Sequence, residues 1–499
     1  MWKTDLEKLQ TKESLRETIQ FLRKEAKDKE KAASLKAELE GGALLVPLLS
    51  EEDAKVRKGT ALLLGELGIQ EAADALWNAY ESEQTLFVKS AYLTALGKLD
   101  FSEFIPQIRE RKQQLLELEP VEEERKHIEE ELRELGKLLV AADGVKKHEF
   151  TGFQKPHEII LTTNRDTRSI TLREVREISK TVRRAEKEHP LGVLIRTEQI
   201  RSFARLRTYR ELLFPLHCGG VIPPEAVCAA KMVAESDLWE LLAECHKDAD
   251  VFYFRLELKT RMDLAKKSAF AKKFASGLER DTNRKLQNST RDYEIEIRLI
   301  ETKEGNLIPF LKLYTIPDRR FSYRKHAVAT SIHPAMAATL VKAAEPYLKE
   351  DAQILDPFCG VGTMLIERDI AVPAREKYGI DIFGDAIAGA RENAAAAGEL
   401  IHYIHRDYFD FKHEYPFDEI ITNMPMRGRK TKEEMDAFYA RFFEKSKEIL
   451  LPGGRMIFYS NEEGFVKKQL RLHKEYRLLA EFTIRKKEQF SLYVVELKG

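Results

Sequence analysis

Residues 354–367 read ILDPFCGVGTMLIE. A short apolar run ends on Asp356, a loop with glycines at 360 and 362 follows, and a helix is expected from about Thr363. Glycine permits a tight turn and close backbone approach to a ligand. The loop opens onto a helix N-terminus, where free N–H groups favour a carboxylate or phosphate. The stretch therefore predicts a cofactor-binding loop at the carboxyl edge of a sheet.

The chain downstream repeats this layout. Strands are expected at 352–355, 377–381, 401–405, 417–422 and 455–460. Helices are expected from Met364 and over 384–398 and 432–450, after an Ala-rich helix at 334–347. Such alternation implies a doubly wound parallel sheet, an α/β Rossmann-like domain over 321–499. Two further strands, 481–486 and 491–497, are joined by a short charged turn, so one of them should run antiparallel. The second strand ends in Gly-Ile-Asp, where Asp381 is placed to accept both hydroxyls of a ribose. Asp407 ends the third strand, within reach of an adenine amino group, and ITNMPMRGRK (421–430) ends the fourth. Polar or glycine residues at four successive strand ends weigh far more than one glycine motif.

DPFCGVGTMLIE resembles the DPxCGxGTxxIE loop of S-adenosylmethionine-dependent RNA methyltransferases, in particular the guanine-N2 group that carries THUMP domains. YRKHAVATSIHPAMAATLVKAA (323–344) is similar to the segment that precedes this loop in the family. The resemblance implies that Asp356, Phe358, Gly360, Gly362 and Thr363 shape the cofactor pocket, that Asp381 binds the ribose and that Asp407 binds the adenine. Arg324 and His333 are expected to close the pocket over the cofactor carboxylate. No metal is implied.

The family's catalytic turn is an Asn or Asp, two prolines and an aromatic residue; this chain has Asn423, Met424, Pro425 and Met426. An exocyclic amine is a poor nucleophile because its lone pair is delocalised. Two acceptors aimed at its hydrogens favour the geometry needed for attack, an effect of positioning and preorganised electrostatics. The implied acceptors are the Asn423 side-chain oxygen and the Met424 carbonyl, which survives any side-chain change. Pro425 restricts Met424 to extended geometry. Met426 stands where the family stacks an aromatic ring on the base, so grip on the substrate is expected to weaken by roughly one to two kcal/mol unless another ring serves. Arg427 and Arg429 are candidate contacts to RNA phosphate.

Residues 145–320 read as an α+β region placed where the family has its THUMP module, with antiparallel strands at 157–164, 251–259, 292–300 and 308–316. In DYEIEIRLI the apolar residues share one face, and Glu294, Glu296 and Arg298 take the other. Residues 1–40 read as surface helix. From Val56-Arg57 a pattern recurs 32 residues later at Val88-Lys89, and it resembles HEAT-type repeats, so residues 1–142 are expected to form an all-α solenoid. Residues 103–140 read as solvated or bridging helix.

At 499 residues the chain should hold about three units. Lys+Arg and Asp+Glu are equal at 83, so net charge is silent on partners. Local charge is not silent: residues 255–291 hold eleven Lys/Arg against four Asp/Glu, while acid gathers in the N-terminal helices. Structured RNA, with tRNA foremost, is the expected partner, with a protein partner possible on the helical arm. Four scattered cysteines, a charged N-terminus and no long apolar run point to a reducing, cytoplasmic setting with no membrane span. The favoured activity is methylation of guanosine N2. A ribosomal RNA or adenine-N6 enzyme, or a degenerate binding module, stays open, whereas a nicotinamide dehydrogenase lacks both its GxGxxG loop and a hydride-shuttling set.

Overall fold

The structure is a computed structural model describing residues 2–118, 121–144, 147–178, 182 and 184–499. The chain forms two compact units, Met1–Lys146 and Lys147–Gly499. The expected division at 320/321 thus falls inside the second unit.

The first unit is helical: Lys3–Thr11, Leu15–Glu25, Lys29–Glu38, Ala54–Leu67, Ala73–Ser82, Leu86–Leu96, Ile105–Glu117 and Glu122–Asp143. The repeated pattern coincides with Ala54–Leu67 and Leu86–Leu96. These helices pack so closely that a Cβ on Gly65 would stand 2.6 Å from the Ala95 Cα. The repeated cation turns inward in both copies, Arg57 onto the Glu83 carboxylate at 2.7 and 2.8 Å and Lys89 onto the Tyr80 carbonyl at 3.0 Å. The first 40 residues form helices that are mostly exposed, anchored by Trp2, Leu9, Leu22 and Leu35 in the core of this unit. The helix Glu122–Asp143 is likewise not wholly solvated: Ile128, Leu132, Leu135 and Leu138 recur at helical spacing and pack inward.

The second unit holds two sheets. The first contains β1 (His157–Thr162), β2 (Arg184–His189), β3 (Gly192–Thr197), β4 (Leu212–Pro215), β5 (Phe252–Lys259), β6 (Leu286–Asn288), β7 (Ile295–Glu301) and β8 (Leu307–Leu313). Their order is β2-β3-β1-β4-β8-β7-β5-β6. The sheet is mixed, not antiparallel as expected, because β5 pairs in parallel with both β6 and β7. A helix, Leu264–Asp281, provides the crossover from β5 that parallel pairing requires. Glu294, just before β7, and Glu296 and Arg298, on its polar face, are all buried. β7 lies inside the sheet, and its charges are satisfied there: Arg298 reaches Glu211 at 2.5 Å and Arg255 reaches Glu296 at 2.8 Å.

The second sheet contains β9 (Gln353–Asp356), β10 (Glu376–Asp381), β11 (His402–His405), β12 (Phe417–Asn423), β13 (Leu450–Ser460), β14 (Tyr476–Arg485) and β15 (Phe490–Leu497). Their order is β11-β10-β9-β12-β13-β15-β14, parallel except for β15, which runs antiparallel to both neighbours. The chain steps outward from β9 to β11 and then returns to the other side of β9. A topological switch point therefore lies between β9 and β12, where open α/β sheets form their ligand crevice. Helices Pro334–Ala344, Thr363–Ala371 and Gly384–Ala397 contribute to one apolar core and Lys432–Ile449 to the other. A further helix, Glu463–Leu472, precedes β14 and was not anticipated. Arg368 and Glu419 form a buried two-pronged ion pair at 2.8 and 2.9 Å beneath the loop helix. Among the described residues no helix is long and apolar enough to cross a membrane, and the four cysteines are free.

Candidate active site

The register of the second sheet aligns the four candidate strand ends. Gly379 sits opposite Asp356, His405 opposite Asp381, and Ile420 opposite Leu355. Asp356, Asp381, Asp407 and Asn423 are thus brought to one edge on four adjacent parallel strands.

Gly360 and Gly362 both take positive φ, +52° and +81°, which other residues rarely adopt. The loop is tied to β10 from two sides: the Cys359 N–H donates to the Ile380 carbonyl at 2.9 Å, and the Gly360 N–H to Asp381 Oδ2 at 2.9 Å. Asp381 Oδ1 accepts the Phe383 N–H at 2.9 Å. A Cβ built on Gly360 meets nothing within 4 Å, so this side of the loop is open. The helix Thr363–Ala371 starts without a capping side chain, which leaves its first N–H groups for a ligand. The Thr363 and Tyr403 hydroxyls are buried without a partner among the described residues. An open glycine loop, an uncapped helix and an acid on the second strand together fit a nucleoside cofactor bearing a carboxylate.

Asp356 is 1% exposed. Burial pushes its carboxyl up to about 7, and the charge of Asp381 adds to this, while the Phe358 N–H opposes it. Phe358 is half-buried. Asp407 is exposed and accepts the Phe409 N–H at 3.0 Å. Ile382 and Phe383, just beyond Asp381, expose large apolar surfaces at the same edge.

Asn423 is half-buried at the end of β12. Met424 is buried, and its N–H donates to the Tyr459 carbonyl at 3.0 Å, which extends the ladder into the turn. Pro425 is half-buried, whereas Met426 is 60% exposed. Arg427 and Arg429 are exposed on a tight turn about Gly428, closed by the Lys430 N–H on the Arg427 carbonyl at 3.0 Å. Lys430 lies 4.8 Å above the Phe438 ring, and that ring packs 5.3 Å from Phe358.

Arg324 is half-buried, and its N–H donates to the Phe321 carbonyl at 3.0 Å. His333 caps the helix Pro334–Ala344, its Nδ1 accepting the Ala335 N–H at 3.2 Å. It lines a cleft of about 950 Å³ between the two sheets, together with Arg210, Arg255 and Arg298. Burial, and then the neighbouring Arg210 and Arg324, hold His333 down at about 4.

Two residues passed unnoticed in the sequence. Tyr403, on β11, lies across both neighbouring glycines: a Cβ on Gly362 would meet its hydroxyl at 2.0 Å, and one on Gly379 its ring at 2.7 Å. Asn393 is fully buried in the helix Gly384–Ala397. Its Oδ1 accepts the Lys325 and His326 N–H groups at 2.8 and 2.9 Å, and its Nδ2 donates to the Val361 carbonyl at 3.0 Å. An asparagine in an Ala-rich helix carries no sequence signal of such a role.

Residues 321–488 match the model of the RMKL-like methyltransferase domain. This part of the chain is similar to a methyltransferase domain. The chain is 27% identical over 143 residues to a Bos taurus U6 snRNA (guanine-N(2))-methyltransferase, THUMPD2, a match covering 28% of each chain. It is 26% identical over 155 residues to the tRNA (guanine(10)-N2)-dimethyltransferase of Methanothermobacter thermautotrophicus, covering 30% of this chain and 45% of that one. The chain therefore spans less than half the length of the curated relatives it matches. TrmN from Thermus thermophilus, 18% identical, superposes with a TM-score of 0.51 over 68% of this chain and 99% of its own. About two thirds of the chain thus shares a fold with that protein.

Proposed function

We propose that the chain is an S-adenosylmethionine-dependent RNA methyltransferase acting on the exocyclic N2 amine of a guanosine in tRNA. The observation that carries this reading is the alignment of Asp356, Asp381, Asp407 and Asn423 on four adjacent strand ends around the switch point. The two curated relatives, named for guanine-N2 methylation of tRNA and U6 snRNA, support the choice of amine.

When bound, S-adenosylmethionine supplies a methyl group activated by its sulfonium. Asp356, Phe358, Gly360, Gly362 and Thr363 form the wall of its pocket. Asp381 takes the ribose hydroxyls and Asp407 the adenine amine, while Arg324 and His333 help close the pocket over the cofactor carboxylate. Asn423 Oδ1 and the Met424 carbonyl accept the two hydrogens of the target amine, and Pro425 keeps that carbonyl extended. Met426 covers one face of the base, and Arg427 and Arg429 hold the RNA backbone. Residues 145–320 serve as a THUMP-like RNA-binding region. Residues 1–142 serve as a HEAT-like arm, available to a protein partner. The enzyme would act in the cytoplasm.

Calorimetry should detect cofactor binding to the whole chain, and labelled methyl groups should pass to bulk tRNA. Asn423→Ala should abolish transfer while leaving cofactor affinity intact; a variant that still transfers removes Asn423 from its role. Nucleoside mass spectrometry of the product separates N2-methylguanosine from the N6-methyladenosine that the same acceptors would also suit. Cofactor binding without any transfer to RNA would favour a degenerate binding module.

A further inference from the structure

Glu367 lies one turn into the helix that starts at the glycine loop, and it is 1% exposed. Its carboxylate is shared by two distant segments. Arg207 takes it with Nε at 2.8 Å and Nη2 at 2.7 Å, and the Tyr323 hydroxyl donates to it at 2.7 Å. Replacing a buried ion pair with apolar residues often leaves stability unchanged or raised, so stability alone is a weak account of such a pair. What this pair joins is more informative.

Arg207 belongs to the strap that leads into β4. Arg320 pins that strap by donating to the carbonyls of Leu206, Tyr209 and Arg210 at 3.0, 2.8 and 3.1 Å. Arg207 and Arg320 also stack on one ring, Phe321, at 4.8 and 4.9 Å. The strap borders a groove of about 1030 Å³ in which Arg201, Arg205, Arg210 and Arg319 are exposed. This is a strongly cationic surface next to aromatic rings. On the other side, Tyr323 leads within three residues to Lys325 and His326, which Asn393 binds to the Val361 carbonyl. The cofactor loop is therefore held at its helix by Glu367 and at its tip through Asn393, and both holds run back to the segment beside the groove.

We propose that Glu367 is a positioning residue through which a polyanion in the arginine groove tightens the cofactor loop, so that RNA and cofactor bind cooperatively. This rests on the methyltransferase reading above. Phosphates that recruit the exposed arginines order the strap, Arg207 carries that order to Glu367, and the loop helix is fixed in place. By linkage, cofactor tightens RNA by the same factor.

The test titrates the full chain with S-adenosylmethionine by calorimetry, with and without saturating bulk tRNA. In the wild type, tRNA should tighten cofactor binding by about fivefold or more. In Glu367→Gln and Arg207→Lys that gain should fall to within about twofold of none, while affinity without RNA changes little. Glu367→Gln keeps the shape of the side chain and removes its charge. Arg207→Lys keeps the charge and removes the fork, and it remains informative if the first variant fails to fold. A variant with a lowered melting temperature but full coupling is what a merely structural ion pair gives, and it overturns the proposal. So does a wild type whose cofactor affinity ignores tRNA, an outcome that leaves the methyltransferase reading standing. A wild type that binds no cofactor at all removes both.

Discussion

Replacing Gly362 with alanine should loosen the cofactor loop by an amount that Tyr403 controls. At φ +81° a residue with a Cβ costs about 1–2 kcal/mol. The new Cβ would also stand 2.0 Å from the Tyr403 hydroxyl, a contact that cannot persist. Overpacking of this kind costs about 1–3 kcal/mol, so the expected total is about 2–5 kcal/mol. Tyr403→Phe removes the atom that is struck, and by itself should be almost neutral, because that hydroxyl is buried without a partner. The double variant keeps the backbone penalty and a 2.9 Å approach to the ring, so it should recover only part of the loss, about 1–2 kcal/mol. Hydrogen exchange at the amides of Thr363–Ala371 reads the opening free energy of this helix locally, so the other unit does not intrude. Protection should drop about thirtyfold or more in Gly362→Ala and recover about tenfold in the double variant. Protection in Gly362→Ala within about threefold of wild type, or no recovery in the double variant, would refute the reasoning that these two residues occupy one space.

Arg368→Met should cost about 3–5 kcal/mol in denaturant unfolding by stranding the buried Glu419 carboxylate, whereas Arg368→Met with Glu419→Leu should recover most of it; equal loss in both would contradict the pairing. Asp356 titrates at about 7 in the folded ligand-free chain against 3.8 unfolded, so the folded chain holds this proton more tightly. Stability should therefore fall as pH rises from about 4 to about 7 and then level off, and Asp356→Asn should flatten that slope in unfolding measured across the window. Met426→Tyr should place a ring on the exposed side of the proposed catalytic turn and lower the RNA concentration for half-maximal transfer by roughly five- to thirtyfold, worth about 1–2 kcal/mol; an unchanged value would move the base away from residue 426.

The cofactor loop was legible because its constraints are local. Positive φ demands glycine at 360 and 362, and the acid that meets the loop ends the next strand. Tyr403 was hidden because its role arises only when β11 is laid beside β10, which puts one ring over glycines from two separate motifs. The alternation in DYEIEIRLI separates two chemically different faces at Glu296 and Arg298 and does not report which face sees water. In an inner strand the polar face is covered too, and its charges find partners there, Glu296 with Arg255 on β5 and Arg298 with Glu211 just before β4. The helix Glu122–Asp143 misled in the same way, since its dense charge masked an apolar stripe narrow enough to be overlooked.

The first sheet has an implication for how the chain is made. β4 is complete at residue 215, yet its partner on that side, β8, begins at residue 307. During synthesis the strands β1 to β4 therefore wait with a bare edge until almost a hundred more residues have emerged. Unpaired edges of this kind recruit other chains. Fragments ending between residues 215 and 307 should therefore aggregate, while those ending beyond residue 313 should remain dispersed. The interval is also where a ribosome-bound helper would have most to do.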